Sequence, residues 1–227
     1  LVAHGLREVS GDRAQFAQSQ EAVAGWTLQQ PGRIDLLDVV NNAKPTTLIG
    51  VSGQAGAFTE EAIRAMASFV ERPIIFPLSN PTSRSEATPV SLVAWTDGRA
   101  LMGTGSPFPP VEYKGRLLPV NQTNNSYIFP GVGLAVLAVN ASRVTDTMFM
   151  AAGVALAELS PAKHDPLARL LPPVDQLRSV SLAVARAVAR QAQLDGVAEP
   201  CDEATLERRI RDQVWEPVYR PTRPRAK

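Results

Sequence analysis

The sequence of 227 residues is poor in the side chains from which disulfides and metal sites are built. It has one cysteine, Cys201, and two histidines, His4 and His164, which lie far apart. A single cysteine excludes an internal disulfide and fits a reducing compartment. Without paired cysteines or clustered histidines a zinc site has no support. Because Cys201 stands outside any cluster of reactive side chains, a nucleophilic role is not predicted for it.

Long apolar runs and an excess of either charge are also missing. A transmembrane helix needs about 18 apolar residues, and the most apolar segment, 128–139, is interrupted by Pro130, Gly131 and Gly133. This segment predicts a buried helix. The net charge is +1, and only the tail 220–227 is strongly basic, which favours a solvated terminus over a nucleic-acid arm. We therefore expect neither a membrane nor a nucleic-acid partner.

The first residues do not resemble the start of a protein. Leu1-Val2-Ala3 predicts a strand already under way, and no methionine precedes it. The charged segment and the cleavage site of a signal peptide are both missing. We therefore expect the chain to be a piece of a longer protein.

Short apolar strands alternate with capped helices through the first hundred residues. Strands are predicted over residues 1–3, 46–52, 73–78 and 100–104. The helices between the later strands begin at Asp35, Thr59 and Thr88, whose side chains accept hydrogen bonds from the first helical N–H groups. Strands separated by single helices imply right-handed crossovers and a parallel sheet. The pattern predicts a doubly wound, mostly parallel α/β domain whose first strand is missing.

The rest of the chain predicts a hairpin followed by helices. Residues 111–120 predict two strands that turn at Lys114-Gly115. Helices are predicted over residues 132–141, 146–159, 174–194 and 203–214. The prediction is therefore a sheet-and-helix part, 1–110, followed by a hairpin and a helical C-terminal third, 111–227.

Amide side chains stand where predicted strands and loops end. Ser79-Asn80-Pro81 follows the strand at 73–78, and open α/β sheets bind ligands at this edge. A carboxamide can donate to a carboxylate and also accept, although an Asx turn explains Asn80 equally well. Asn124-Asn125, at the end of the amide-rich stretch 121–125, requires a ligand or a helix as its partner. We expect these two loops to face one pocket.

A glycine turn, Gly50-Val-Ser-Gly-Gln-Ala-Gly56, joins a predicted strand to a predicted helix. Glycines there let backbone N–H groups approach a ligand. The spacing differs from the dinucleotide fingerprint, so tight-turn glycines and a cofactor contact remain equal alternatives. Ser106, between Gly105 and Pro107, lacks the glycine spacing of a nucleophile elbow.

Four segments together resemble the malic enzyme family. They are IGVSGQAGAFT at 49–59, RPIIFPLSNPT at 72–82, TGSPF at 104–108 and NNSYIFPG at 124–131. They occur in the family's order and spacing, and the resemblance covers about residues 35 to 220. The chain is most similar to the C-terminal cofactor-binding domain of the NAD-dependent bacterial type. This resemblance implies a Rossmann-type sheet.

The resemblance implies a malate dehydrogenase (decarboxylating), which oxidises malate with NAD or NADP and releases pyruvate and carbon dioxide. It also implies Mg²⁺ or Mn²⁺, which polarises the substrate oxygens. The family's acid–base Lys and Tyr, its three acidic metal ligands and its first phosphate turn would all lie upstream of Leu1. We therefore expect no catalytic or metal-binding residue in this chain, and no activity from it alone.

The resemblance also assigns roles to individual residues. Asn80 matches the asparagine that contacts malate near the nicotinamide, and Asn124 and Asn125 match the pair that holds the substrate carboxylate. Ser52, Gly53 and Ser79 match neighbours of the cofactor, as does Asn80.

The choice between NAD and NADP stays open. Val2 stands where the family usually has the aspartate that reaches the adenosine ribose. The scarcity of positive charge in residues 14–26 favours NAD, because a 2′-phosphate requires Arg or Lys.

Other functions are compatible with these residues. A malolactic-type enzyme on the same scaffold would release lactate without net NADH. A non-catalytic nucleotide- or metabolite-binding module would bind NAD or malate without the upstream part. Family resemblance further implies a homo-oligomer for the full-length protein, and a cytoplasmic location agrees with the single cysteine.

Overall fold

The computed structural model describes residues 14, 16–165, 168–216 and 218. Within it the chain forms two compact units. The first unit comprises the residues up to Asn124 together with 168–170, and the second comprises residues 125–167 and those from Leu171 onward. The strand predicted at residues 1–3 and the basic tail at 220–227 lie outside the described residues.

The described part of the first unit contains six strands. These are β1 (Thr47–Gly50), β2 (Ile74–Pro77), β3 (Leu101–Thr104), β4 (Val111–Tyr113), β5 (Arg116–Leu118) and β6 (Asn121–Gln122). Four of them form a sheet in the order β1-β2-β3-β6, and every neighbouring pair in it is parallel. The mostly parallel sheet is therefore confirmed.

The antiparallel hairpin β4-β5 is confirmed as well. Its turn residues, Lys114 and Gly115, have φ values of 50° and 72°. Two successive residues with positive φ are typical of the tight turns that join antiparallel strands.

The strand β6 was not predicted, because its residues are amides. The Asn121 side chain is buried, donates to the Met102 carbonyl at 3.3 Å and accepts from the Leu170 N–H at 3.0 Å. Asn121 and Gln122 thus extend the sheet beside β3. The interpretation of 121–125 as one loop of amides was wrong for these two residues.

The helices of the first unit are α1 (Gln20–Val23), α2 (Leu36–Ala43), α3 (Glu60–Phe69) and α4 (Pro89–Trp95). Asp35, Thr59 and Thr88 each accept a hydrogen bond from a backbone N–H of the first turn, so all three predicted caps are confirmed. The core of the unit consists of helix and strand side chains with no exposed surface, among them Val40, Ile63, Met66, Ile75 and Leu92.

The second unit is helical, as predicted for the C-terminal third. Its helices are α5 (Phe129–Val139), α6 (Asp146–Glu158), α7 (Leu177–Leu194) and α8 (Glu203–Gln213). Helix α5 begins three residues before the predicted start at Val132, because its first turn tolerates Pro130, whose missing N–H would have no helical partner there. A 3₁₀ turn, Val174–Gln176, leads into α7.

Helix α7 is central to the second unit and packs against α5, α6 and α8. A Cβ atom on Gly131 of α5 would lie 2.7 Å from the Cβ of Val184 on α7, so α5 and α7 approach as closely as a glycine allows. Arg186 of α7 forms an ion pair with Glu207 of α8. Among the described residues no helix combines the length and hydropathy that crossing a membrane would require.

Candidate functional site

The carboxyl ends of the parallel strands bring four loops of the first unit to one edge of the sheet. Beyond the strands, the Leu78 N–H donates to the Gly50 carbonyl at 2.8 Å, and the Thr123 N–H donates to the Thr104 carbonyl at 2.7 Å. The loops therefore leave the sheet side by side. Ligands of open α/β sheets bind at this edge.

A buried carboxylate, Glu86, joins the loop after β1 to the loop after β2. Its Oε1 accepts from the Ser52 N–H at 2.8 Å, from the Ser52 hydroxyl at 2.8 Å and from the Ser79 hydroxyl at 2.5 Å. Its Oε2 accepts from the Ser79 N–H at 3.3 Å. The Gly53 N–H in turn donates to the Ser79 hydroxyl at 2.9 Å. Three of the predicted site residues, Ser52, Gly53 and Ser79, are thus brought together around Glu86.

The Glu86 side chain has no exposed surface. Burial by itself would raise the pKa of this carboxyl group, but the hydrogen bonds donated by Ser79 and Ser52 together outweigh it. The pKa of Glu86 therefore lies below its ordinary value, and the group is a carboxylate at neutral pH.

The glycine turn after β1 is a tight turn, and its contact with a cofactor stays a prediction. Gly53 and Gly56 have φ values of 68° and 72°, which only glycine adopts without strain. The N–H groups of Ser52 and Gly53 donate within the protein, as tight-turn residues do. A Cβ atom on Gly53 or Gly56 would nevertheless meet nothing within 4 Å. The outer face of the turn is therefore open to a ligand.

Asn80 is exposed at the end of the loop that follows β2. Its Oδ1 accepts a hydrogen bond from the Ser106 hydroxyl in the loop after β3, and its Nδ2 donates to the Leu78 carbonyl at 3.4 Å. The peptide bond between Asn80 and Pro81 is cis. The exposed carboxamide is therefore oriented by one hydrogen bond from the loop after β3 and by one within its own loop.

Gly105 makes the approach of these two loops possible. A Cβ atom at this position would lie 2.1 Å from the Leu78 carbonyl oxygen and 2.9 Å from Nδ2 of Asn80. Such distances are far below van der Waals contact. Only glycine allows β3 to end directly beside Asn80.

The two other predicted asparagines fall in different units. Asn124 is the last residue of the first unit before the boundary, and it is exposed beyond β6. Asn125 begins a 3₁₀ turn, Asn125–Tyr127, of the second unit and is also exposed. Asn80 and Asn124 follow β2 and β6, which lie in the same parallel sheet with β3 between them. That the two loops face one pocket stays a prediction.

Two residues of this edge, Glu86 and Ser106, were missed from the sequence. Glu86 lies in a polar stretch just before the cap of α4, where a solvated carboxylate is the ordinary interpretation. Its burial depends on donors from Ser52, in the loop after β1, and from Ser79, seven residues earlier in its own loop. No local pattern of the sequence identifies it. Ser106 was considered only as a nucleophile, and its contact with Asn80 requires the parallel pairing of β2 with β3.

The two groups that the resemblance implies fit this part of the chain differently. An open glycine turn beside polar loops at the carboxyl edge suits a nucleotide cofactor. A divalent ion needs several oxygen ligands, and the described residues include no group of three His, Cys, Asp or Glu side chains that could hold one. The described part of the chain therefore does not fit a divalent metal ion.

A parallel α/β sheet with a glycine turn and polar loops at its carboxyl edge defines the class of nucleotide-cofactor-binding domains. Comparison with known families identifies the particular family within this class. The family model described as "Malic enzyme, NAD binding domain" matches residues 1–193. The chain belongs to this family.

Curated relatives agree with the family match. The chain is 51% identical over 223 residues to an NAD-dependent malic enzyme of Sodalis glossinidius, and 53% identical over 220 residues to one of Acinetobacter baylyi. These alignments cover 98% and 97% of the chain. The chain spans 39% of the length of each relative.

Solved structures show the same fold. The malic enzyme of Entamoeba histolytica matches 93% of the chain with a TM-score of 0.67 and 25% sequence identity, and the match covers 40% of that protein. The malic enzyme of Pyrococcus horikoshii matches 78% of the chain with a TM-score of 0.59 and 27% identity, covering 36% of its own length.

Proposed function

We propose that this chain is the cofactor-binding part of a malate dehydrogenase (decarboxylating). In the reaction, malate loses a hydride to NAD and a carboxylate as carbon dioxide, which leaves pyruvate and NADH. The acid–base Lys and Tyr and the metal ligands would come from a part of the protein that precedes this chain. NAD is the proposed cofactor, because the curated relatives are named NAD-dependent malic enzymes.

The arrangement of Asn80 is the observation that carries the proposal. Its carboxamide is exposed at the carboxyl edge of the sheet, and the Ser106 hydroxyl orients it. Oδ1 accepts that hydrogen bond, and one hydrogen of Nδ2 is donated to the Leu78 carbonyl. The second hydrogen of Nδ2 would donate to a carboxylate or hydroxyl oxygen of malate. A neutral donor of this kind orients the substrate without adding a second buried charge.

The remaining site residues have supporting roles in this proposal. Ser52, Gly53 and Ser79 would contact the cofactor. Their hydrogen bonds to one another and to Glu86 hold them in a fixed arrangement for that contact. Asn124 and Asn125 would hold the substrate carboxylate. When bound, the nicotinamide ring would supply the hydride acceptor, and the chain's own residues would orient the two reactants.

The wider organisation of the protein is also part of the proposal. Residues 1–227 form the cofactor-binding domain, with a sheet-and-helix part at 1–110 and the hairpin and helices at 111–227. The intact protein contains Mg²⁺ or Mn²⁺ bound upstream, forms a homo-oligomer and works in the cytoplasm. The family resemblance supports the first two statements, and the single cysteine supports the third.

Steady-state assays of the intact protein test the proposed function. With malate, Mn²⁺ and NAD we expect NADH and pyruvate in equal amounts, and weaker activity with NADP. Residues 1–227 alone should be inactive. Lactate formed without net NADH would instead identify a malolactic-type enzyme. Micromolar binding of NAD to residues 1–227 alone, without turnover by the intact protein, would favour a non-catalytic module.

A further inference from the structure

We propose that Glu86 is a positioning residue, whose buried carboxylate fixes the glycine turn after β1 and the loop after β2 in one arrangement and thereby sets the position of Asn80. This inference rests on the proposed function insofar as Asn80 contacts the substrate. The clamp itself, which is the set of hydrogen bonds from Ser52 and Ser79 to Glu86, is independent of that role.

The hydrogen bonds of Glu86 require a carboxylate and not merely a polar side chain. Oε1 faces three donors, which are the Ser52 N–H and the hydroxyls of Ser52 and Ser79, and Oε2 faces the Ser79 N–H. A carboxylate only accepts hydrogen bonds, so it satisfies all four donors. A glutamine in the same place would direct its NH₂ group at one or more N–H or O–H donors. The four hydrogen-bond donors around this side chain therefore favour glutamate over glutamine.

The clamp fixes the position of Asn80 because Asn80 follows Ser79 directly in the chain. The N–H and the hydroxyl of Ser79 both donate to Glu86, and Asn80 is the next residue in the chain. The Ser106 hydroxyl then fixes the carboxamide from the other side. A shift of the Ser79 backbone would therefore move the carboxamide directly, and displacements of about 1 Å can cost two orders of magnitude in rate.

The buried Glu86 side chain packs closely against the end of β1. A Cβ atom on Gly50, the last residue of β1, would lie 2.7 Å from Cδ of Glu86 and 2.6 Å from the Phe58 ring. The Phe58 N–H also donates to the Glu86 carbonyl at 3.1 Å. The side chain of Glu86 thus holds the glycine turn at Ser52, and its backbone holds Phe58, two residues after the turn.

The test compares Glu86→Gln in the intact protein with Glu112→Gln, the same change at an exposed position on β4. Two readouts are used. Amide hydrogen exchange at Ser52, Gly53 and Ser79 reports the clamp, and kcat and KM for malate report the position of Asn80. We expect Glu86→Gln to speed exchange at the three amides and to lower kcat/KM at least about tenfold, as expected when charge-assisted hydrogen bonds are lost.

Thermal unfolding separates positioning from simple instability. If the loss of kcat/KM in Glu86→Gln equals its unfolded fraction at the assay temperature, or if kcat and KM are unchanged, the positioning role is wrong. Glu112→Gln should resemble the wild type in every readout. If Glu86→Gln does not fold, Glu86→Asp replaces it, since it keeps the charge and withdraws the carboxylate by one methylene.

The wild-type protein alone also tests the clamp. Its Ser52, Gly53 and Ser79 amides should exchange far more slowly than those of the exposed Lys114-Gly115 turn, and equal rates would overturn the proposal. If the intact wild type does not reduce NAD with malate, the proposed function fails, while the exchange rates still decide whether Glu86 holds the two loops.

Discussion

The backbone of Gly105 lies so close to the Leu78 carbonyl that a Cβ atom would stand 2.1 Å from its oxygen. This contact joins the ends of β3 and β2 at the position from which Asn80 projects. The absence of a side chain at residue 105 is therefore a condition for the geometry of the candidate site.

Gly105→Ala should disturb this site. The added methyl group must displace the Leu78 carbonyl and also crowds the Asn80 carboxamide. We therefore expect kcat/KM for malate in the intact protein to fall at least about tenfold, with a loss of stability of about 1–3 kcal/mol from overpacking. Gly153→Ala is the matched control, because a Cβ atom at this position in α6 meets nothing within 4 Å. The control should stabilise the protein by about 0.5–1 kcal/mol. Equal effects of the two changes would contradict this explanation.

Ser106→Ala should loosen the Asn80 carboxamide without removing it. The hydroxyl that donates to Oδ1 is lost, and a neutral hydrogen bond is worth about 0.5–1.5 kcal/mol. We expect KM for malate to rise about two- to tenfold with little change in thermal stability. Ser68→Ala on α3, whose exposed hydroxyl donates only to a helical carbonyl, should leave KM unchanged. An unaltered KM in Ser106→Ala would show that this contact does not orient the substrate.

Acid should remove the contribution of Glu86 to stability. Its pKa in the folded protein lies below the ordinary value of 4.5, so the unfolded chain takes up the proton first as pH falls. The carboxylate therefore stabilises the fold fully above about pH 4.5, and this stabilisation is lost as pH falls through the folded pKa. Urea unfolding should show a difference between wild type and Glu86→Gln that is largest near neutral pH and shrinks in acid. If the difference in unfolding free energy instead grew in acid, the pKa of Glu86 in the folded protein would lie above its ordinary value, which would contradict this prediction.

The ion pair between Arg186 and Glu207 should contribute only modestly to the helical unit. Both side chains are partly exposed, at 38% and 28% of their surface, so solvent and salt screen the interaction. A double-mutant cycle with alanine at both positions should give a coupling of about 0.2–1 kcal/mol that falls as salt rises. The Arg64–Glu60 pair on α3, with both side chains 52% exposed, provides the comparison and should couple more weakly.

Local chemistry allowed much of the fold to be predicted. Helix starts were found because the caps Asp35, Thr59 and Thr88 act on the N–H groups of their own first turn. The parallel sheet followed from apolar strands separated by single helices. In contrast, β6 consists of Asn121 and Gln122, whose polar side chains carry no strand pattern, and their pairing with β3 is a long-range property.

The candidate site was predicted less completely than the fold. Asn80 could be found because it follows an apolar strand directly. Glu86 could not, because its burial and its lowered pKa arise from donors that approach from residues 52 and 79 only after folding. The contact of Ser106 with Asn80 likewise depends on the close approach permitted by Gly105.

Asn80→Ala in the intact protein is the most direct test of the claim that this edge of the sheet binds malate beside NAD. The kinetic constants for malate and for NAD should be measured with Mn²⁺ present, together with the thermal unfolding temperature. Because a hydrogen bond to a charged group is worth about 1.5–3 kcal/mol, we expect kcat/KM for malate to fall about ten- to a hundredfold, with unchanged folding. Wild-type kcat and KM for malate in a folded Asn80→Ala protein would contradict the account.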